Sequence, residues 1–304
     1  MIVSPSKFVF VGGLQRSGTT LLSALLTENP VTTSLLPNHF GSEEGQFRQS
    51  VYKDDIKLGH EVGRGKGIHV RWAYHRDAHL VEKDAEPSPD RVASALLDAW
   101  RPHFTNPGAE YLIEKSPPNL MKGRFLQAAF PEARFIVITR HPVIQALAVR
   151  KWAPRHVQVG IDLGSIIDHW LMAMETFSGD LSSLKAVRVL RYDKLLASPA
   201  SALEELQSFA GLPPHEAEVK RVSDKDVVYS KYWESMRQGR GLWRLDPLNR
   251  KNRPRSVVPR TLERLLVPIV GPREVDEIRM RFGERVRRFG YDIDDLSADL
   301  GWSV

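Results

Sequence analysis

Short apolar runs alternate with longer stretches of helical period along most of the chain. Lys7-Phe8-Val9-Phe10-Val11 is rich in β-formers and ends in Gly12-Gly13, which predicts a buried strand and a tight turn. Leu21, Leu22, Ala24, Leu25 and Leu26 then recur at helical spacing between Ser17 and Glu28, and Asn29-Pro30 stops the helix. The pattern repeats: a helix to about Phe104 with Val92, Leu96, Leu97 and Trp100 on its core face, strand 111–113, helix 120–129, strand 134–139, and a helix entered at Pro142. A helix over 166–184, a strand over 187–191 and a helix from Pro199 to Ala210, stopped at Gly211, follow. Such alternation predicts a three-layer α/β fold, a central parallel sheet with helices on both faces.

Three segments break the alternation. From His39 to Gly67 repeated glycines interrupt any long periodicity, so an irregular functional loop region is expected. From Arg237 to Arg260 the chain is proline- and arginine-rich without period, and reads as a loop. Two helical patterns, 262–270 and 274–289, precede a polar tail.

Composition narrows the chemistry. With 304 residues and 42% hydrophobic side chains, the chain can bury a sizeable core, and one domain over 1–304 is the default. A formal charge of +6 favours anionic partners without separating a phosphorylated ligand from nucleic acid or a membrane surface. The absence of cysteine removes disulfides, thiolate nucleophiles and cysteine metal sites. Met1 to Phe10 has neither signal-peptide layout nor an apolar span, so a cytoplasmic protein without a membrane span is expected.

The turn Gly13-Leu14-Gln15-Arg16-Ser17-Gly18-Thr19-Thr20 lies between a predicted strand and helix, where successive backbone N–H groups and the helix N-terminus attract an anion. It has the outer frame of an ATP-binding phosphate loop, but Thr19 stands where that loop needs lysine. The cation is instead Arg16, able to fork across a phosphate while Thr19 and Thr20 donate hydroxyls. A second arginine, Arg140, ends the strand 134–139 before a helix, at the edge of a parallel sheet where ligands bind.

These residues resemble the sulfotransferase family, whose 5′-phosphosulfate loop has the form Pro-(Lys/Arg)-Ser-Gly-Thr-Thr; Gln15 replaces the proline here. The motif style is similar to tyrosylprotein-type and carbohydrate-type members. The resemblance implies a P-loop-like fold and 3′-phosphoadenosine-5′-phosphosulfate as donor, held by Gln15, Arg16, Ser17, Gly18, Thr19 and Thr20 on its 5′ side. Phe135 to Pro142 resembles the family's 3′-phosphate segment, with Arg140 as the binding cation, although Ala148 stands where the family has a serine. Arg191-Tyr192-Asp193-Lys194-Leu195 is similar to the segment that places a tyrosine, here Tyr192, near the adenine. The basic stretch 250–255 resembles in position the loop that closes over the 3′-phosphate, with Lys251 and Arg253 as its contacts.

Transfer of a sulfuryl group needs a base for the acceptor hydroxyl and a cation for the departing phosphate oxygen. Arg16 suits the cation, and Lys115, in Glu114-Lys115-Ser116-Pro117-Pro118, resembles a lysine that tyrosylprotein-type and carbohydrate-type sulfotransferases place beside the transferring group. Ser42-Glu43-Glu44-Gly45 resembles the paired glutamates of tyrosylprotein sulfotransferases, which makes Glu44 the candidate base. Glu43, or a histidine among His39, His69, His75 and His79, stays open for that role. His75 and His79 are four apart but lack a metalloprotease glutamate, and the implied chemistry needs no metal. The expected partners are a nucleotide sulfate donor and a hydroxyl-bearing acceptor of open class (carbohydrate, phenol or tyrosine, or another alcohol), not nucleic acid. Two other readings remain: an ATP-dependent phosphotransferase, and a non-catalytic module for nucleic acid or another polyanion, hinted at by Trp243 among C-terminal arginines.

Overall fold

A computed structural model of the chain describes residues 6–62, 71–152, 162–217, 226–240 and 260–302, with the backbone alone at 152 and 260–267. The predicted strands form one sheet: β1 Lys7–Gly12, β2 Thr32–Thr33, β3 Tyr111–Lys115, β4 Arg134–Thr139 and β5 Val187–Arg191, in the order β2-β3-β1-β4-β5 with every pairing parallel. In register, Val11 lies beside Lys115 and Thr139 beside Arg191. β1 leaves for β3 on one side and β4 on the other, so the crevice beyond its carboxyl end is where a doubly wound sheet receives a ligand.

The alternation of side chains along each strand divides the core in two. Phe10, Leu112, Phe135 and Val137 face one layer, where α3 (Pro89–Trp100), α4 (Gly123–Ala129), α5 (Pro142–Trp152) and α6 (Leu163–Asp180) supply Leu96, Trp100, Phe125, Leu147, Trp170 and Phe177. Val9, Val11, Ile113, Ile136 and Ile138 face the other. There α1 (Thr19–Thr27) brings Leu22, Leu25 and Leu26, and α8 (Pro199–Ala210) brings Leu203 and Leu206; α7 (Tyr192–Ala197) begins straight after β5. Each fully buried leucine or phenylalanine contributes about 1.5–3 kcal/mol. Both faces of the sheet are therefore covered, as continuous apolar strands require.

Several boundaries differ from the sequence expectation. The glycine-rich segment after His39 contains a helix, α2 (Asp55–Val62), because Asp54 Oδ1 caps it through the Lys57 N–H at 2.8 Å and Leu58 is buried. The expected helix 120–129 is a 3₁₀ turn, Pro117–Met121, followed by α4, with the break at Lys122. α6 starts at Leu163, where Asp162 accepts from the Ser165 N–H at 2.7 Å, and ends at Asp180. A further helix, α9 (Asp226–Arg237), was not anticipated; it buries Tyr229, Trp233 and Met236 at helical spacing.

The two expected C-terminal helices are one, α10 (Arg260–Arg287), which carries Pro268 and Pro272. Burial of Val275, Ile278, Phe282 and Val286 holds its second half to the core. The expected polar tail is instead packed. Tyr291 and Ile293 are buried, the Tyr291 and Thr139 hydroxyls lie 2.6 Å apart, and Trp233 Nε1 donates to the Ile293 carbonyl at 3.1 Å. Most of the expected loop 237–260 lies outside the described residues. No helix among the described residues is long and apolar enough to cross a membrane.

Candidate functional site

The carboxyl ends of β1, β3, β4 and β5 carry the loop 13–18, Lys115, Arg140 and Tyr192. In the loop, Ser17 N–H donates to the Leu14 carbonyl at 3.0 Å, Arg16 has φ 68° and Gly18 φ 105°. Gly18 is required twice over: its backbone is in the left-handed region, and an added Cβ would run into the Tyr192 ring. A Cβ on Gly13 would stand 2.5 Å from the Ile138 carbonyl oxygen. The backbone thus meets β4 and Tyr192 at closest approach, and the buried Ser17 Oγ has no hydrogen-bond partner among the described residues. Glycine-shaped walls and an unpaired buried hydroxyl fit a phosphate cradle.

Arg140 gathers three of the motifs. Its Nη1 donates to the Arg16 carbonyl at 2.7 Å, and its guanidinium lies 4.6 Å from the centre of the Tyr192 ring and 5.7 Å from that of Tyr229. It is only 7% exposed, and Asp226 of α9 pairs with its Nη2. The loop, the end of β4 and the start of α7 therefore share one arginine, which an acidic side chain also holds. Arg16 is exposed, Thr19 buried and Thr20 exposed. Ala148 is buried in the core from α5 and offers no hydroxyl. His141, beside Arg140, meets the Asp292 carbonyl at 2.9 Å, and burial pushes its pKa down to about 4.

A second cluster lies at the end of β3. Lys115 Nζ donates to Glu44 Oε1 at 3.2 Å, with side chains 5% and 17% exposed. The neighbouring Glu114 points into the other layer. Its Oε1 accepts from the Gly45 N–H at 2.8 Å and Ser116 Oγ at 2.6 Å, and its Oε2 from Asn119 Nδ2 at 2.6 Å. Burial raises the Glu114 pKa against these donors. Trp100 Nε1 donates to the Gly45 carbonyl at 3.0 Å and Ser116 Oγ accepts from the Gln46 N–H at 3.1 Å, so the turn bearing Glu44 is fastened on both sides. Gln46 Nε2 donates to Glu44 Oε2 at 2.6 Å.

The remaining candidates are distributed elsewhere. Glu43 is exposed, the His39 ring lies against that of Phe40 at a tilt of 55°, His75 pairs with Glu61 at 2.9 Å and His79 with Asp180 at 2.8 Å. His75 and His79 thus turn to different carboxylates. Glu61, His75 and Asp77 cluster, but Lys53 Nζ reaches Glu61 at 2.7 Å and Asp77 at 3.1 Å, so an ammonium already bridges the two carboxylates. Lys251, Arg253 and His69 lie outside the described residues.

Gln15 was expected on the 5′ side of the donor. Its side chain is engaged by Asp55 and Trp72. Asp55, Gln46, Glu114 and Asp226 were missed by sequence reading. Of these, only Glu114, adjacent to Lys115 at a strand end, carried a positional signal.

Residues 9–216 match the family model described as "Sulfotransferase family". The chain is 24% identical over 220 residues to protein-tyrosine sulfotransferase 1 of Danio rerio, covering 69% of this chain and 54% of that protein. It is 27% identical over 177 residues to the Homo sapiens protein-tyrosine sulfotransferase 1, covering 55% and 40%. The chain spans about half the length of the curated relatives it matches. Among solved structures, sulfotransferase STF1 from Mycobacterium tuberculosis aligns with a TM-score of 0.42 and 16% identity over 76% of this chain and 72% of that one.

Proposed function

Because the chain belongs to the sulfotransferase family, we propose that it moves a sulfuryl group from 3′-phosphoadenosine-5′-phosphosulfate to an acceptor hydroxyl, with Glu44 as general base. The observation that carries the donor assignment is Arg140, which joins the Arg16 carbonyl, the Tyr192 ring and the end of β4 in one cluster. Three stretches read separately in the sequence meet at one place, beyond the carboxyl ends of β1, β4 and β5.

The donor, when bound, supplies a sulfuryl group whose bond to the 5′-phosphate oxygen breaks as the acceptor oxygen bonds to sulfur, leaving adenosine 3′,5′-bisphosphate. The loop 13–20 holds the 5′ side with its N–H groups, Ser17 Oγ and the Arg16 side chain. Arg140 takes the 3′-phosphate and Tyr192 the base. Glu44 receives the acceptor proton, and Lys115, which keeps two further N–H donors beyond its bond to Glu44, serves the leaving oxygen together with Arg16. None of these roles calls on a metal.

The names of the relatives point to a tyrosine hydroxyl as one acceptor class; labelled donor screened against tyrosine peptides, phenols and carbohydrates identifies the acceptor. Thermal shifts compare the nucleotide product of the donor with the rival nucleotide: adenosine 3′,5′-bisphosphate should stabilise the protein more than ATP with magnesium does. The reverse order would sink the assignment and favour an ATP-dependent phosphotransferase. Glu44→Gln should abolish turnover, a loss of about 100-fold or more, while bisphosphate binding persists. Near-normal turnover would remove Glu44 as base.

A further inference from the structure

The proline of the family motif is replaced by Gln15, and the glutamine side chain reaches out of the phosphate loop. Its Nε2 donates to Asp55 Oδ2 at 2.6 Å and its Oε1 accepts from Trp72 Nε1 at 3.2 Å. Its carbonyl accepts from Gln145 Nε2 at 2.7 Å, so the backbone of the loop is pinned at the same residue. Asp55 opens α2, is 4% exposed, and donates its own N–H to Gln46 Oε1 at 3.0 Å. Gln46, 1% exposed, donates through Nε2 to Glu44 Oε2 at 2.6 Å. A continuous path thus runs from the phosphate loop through Gln15, Asp55 and Gln46 to Glu44.

Both glutamine amides have a fixed orientation. Each places Nε2 on a carboxylate and Oε1 on an N–H, and rotating either amide by half a turn would set oxygen against oxygen and N–H against N–H. The path is buried at Asp55 and Gln46 and part-buried at its Gln15 and Glu44 ends, so water does not replace a lost partner cheaply at its centre. Rigid connection of this kind is what lets two sites share one arrangement.

We infer that Gln15, Asp55 and Gln46 are positioning residues that hold Glu44 in register with the phosphate loop, so that a nucleotide settling in the loop also sets the base. The inference rests on the donor and base roles proposed above. Phosphates drawing in the loop N–H groups fix residue 15, and residue 15 fixes the start of α2 and the turn at Glu44.

Hydrogen–deuterium exchange of the full chain, with and without adenosine 3′,5′-bisphosphate, tests this together with calorimetric Kd and steady-state rates on the acceptor identified by the screen. In the wild type the ligand should slow exchange at 13–20 and also at 44–62. In Gln15→Ala and Gln46→Ala the protection at 13–20 and a Kd within about twofold should remain. Protection at 44–62 should be lost, and kcat should fall about tenfold with acceptor KM held. Asp55→Ala should match them, and Asp55→Asn, which keeps an acceptor oxygen for Gln15, should restore the linked protection. Gln15→Met, of similar volume, replaces the alanine variant if that one does not fold.

A merely structural role would lower the melting temperature of the variants without separating the two segments. Protection at 44–62 that survives in Gln15→Ala, or that never follows bisphosphate binding in the wild type, overturns the inference alone. A wild type that does not bind the bisphosphate overturns the donor assignment, and the inference with it.

Discussion

Exchanging Asp55 for asparagine should change how stability depends on pH, and the size of the change follows from the carboxyl's surroundings. Asp55 is 4% exposed, its Oδ1 has no hydrogen-bond partner among the described residues, and Glu44 and Asp54 add negative charge nearby. Lys122 is the facing cation, but it is itself buried, with its pKa pushed down to about 8. Burial first, then Glu44, raises the Asp55 pKa from 3.8 to about 7, against the opposing hydrogen bonds of Gln15 and Gln46. The folded value lies above the unfolded one, so this contribution is fully present below about pH 4 and is lost as pH rises through about 7.

A rise from 3.8 to about 7 corresponds to about 4 kcal/mol as a ceiling. Asparagine keeps the shape and an acceptor oxygen but cannot ionise, so the variant should gain on the wild type by up to about 4 kcal/mol between about pH 4 and about pH 8. Urea unfolding followed by tryptophan fluorescence, at matched pH values with unchanged m, measures that difference. His141 and His169, pushed by burial to about 4 and about 3, lose stability as pH falls, but both proteins carry them and they cancel. A wild-type-minus-variant difference that stays flat from acid to neutral pH would refute the reasoning.

Two further substitutions probe the donor cluster. Gly18→Ala drives a methyl group into the Tyr192 ring at a φ of 105°, and should cost about 1–3 kcal/mol and abolish the bisphosphate-induced thermal shift; an unchanged shift would mean that the loop is not the cradle. Asp226→Asn removes the carboxylate that pairs with Arg140, and should tighten bisphosphate Kd by roughly tenfold, measured by calorimetry; unchanged or weaker binding would show that Asp226 does not compete with the 3′-phosphate.

What the amino-acid order determined by itself is local. Continuous apolar runs such as Phe135-Ile136-Val137-Ile138 declare strands buried on both faces, Gly13 and Gly18 mark a turn that only glycine backbone can make, and Arg140 falls at a strand end. These features reside in φ/ψ preference and side-chain period, and they were enough to name the layers of the fold and to single out the loop and the arginine as candidates. Where local signals conflicted, packing decided. Asp54 capped a helix inside a glycine-rich stretch, burial of Val275 and Phe282 carried one helix through two prolines, and Tyr291 drew a polar tail into the core.

The partners of the candidate site were beyond any local reading. Gln15 meets Asp55 across 40 positions, Glu44 meets Lys115 across 71, and Arg140 meets Arg16 across 124. The order β2-β3-β1-β4-β5 sets β3 and β4 on either side of the phosphate loop, and that order comes from which faces bury each other. Sequence spacing carries the period of a strand or helix; it carries no distance between residues joined only when those faces close.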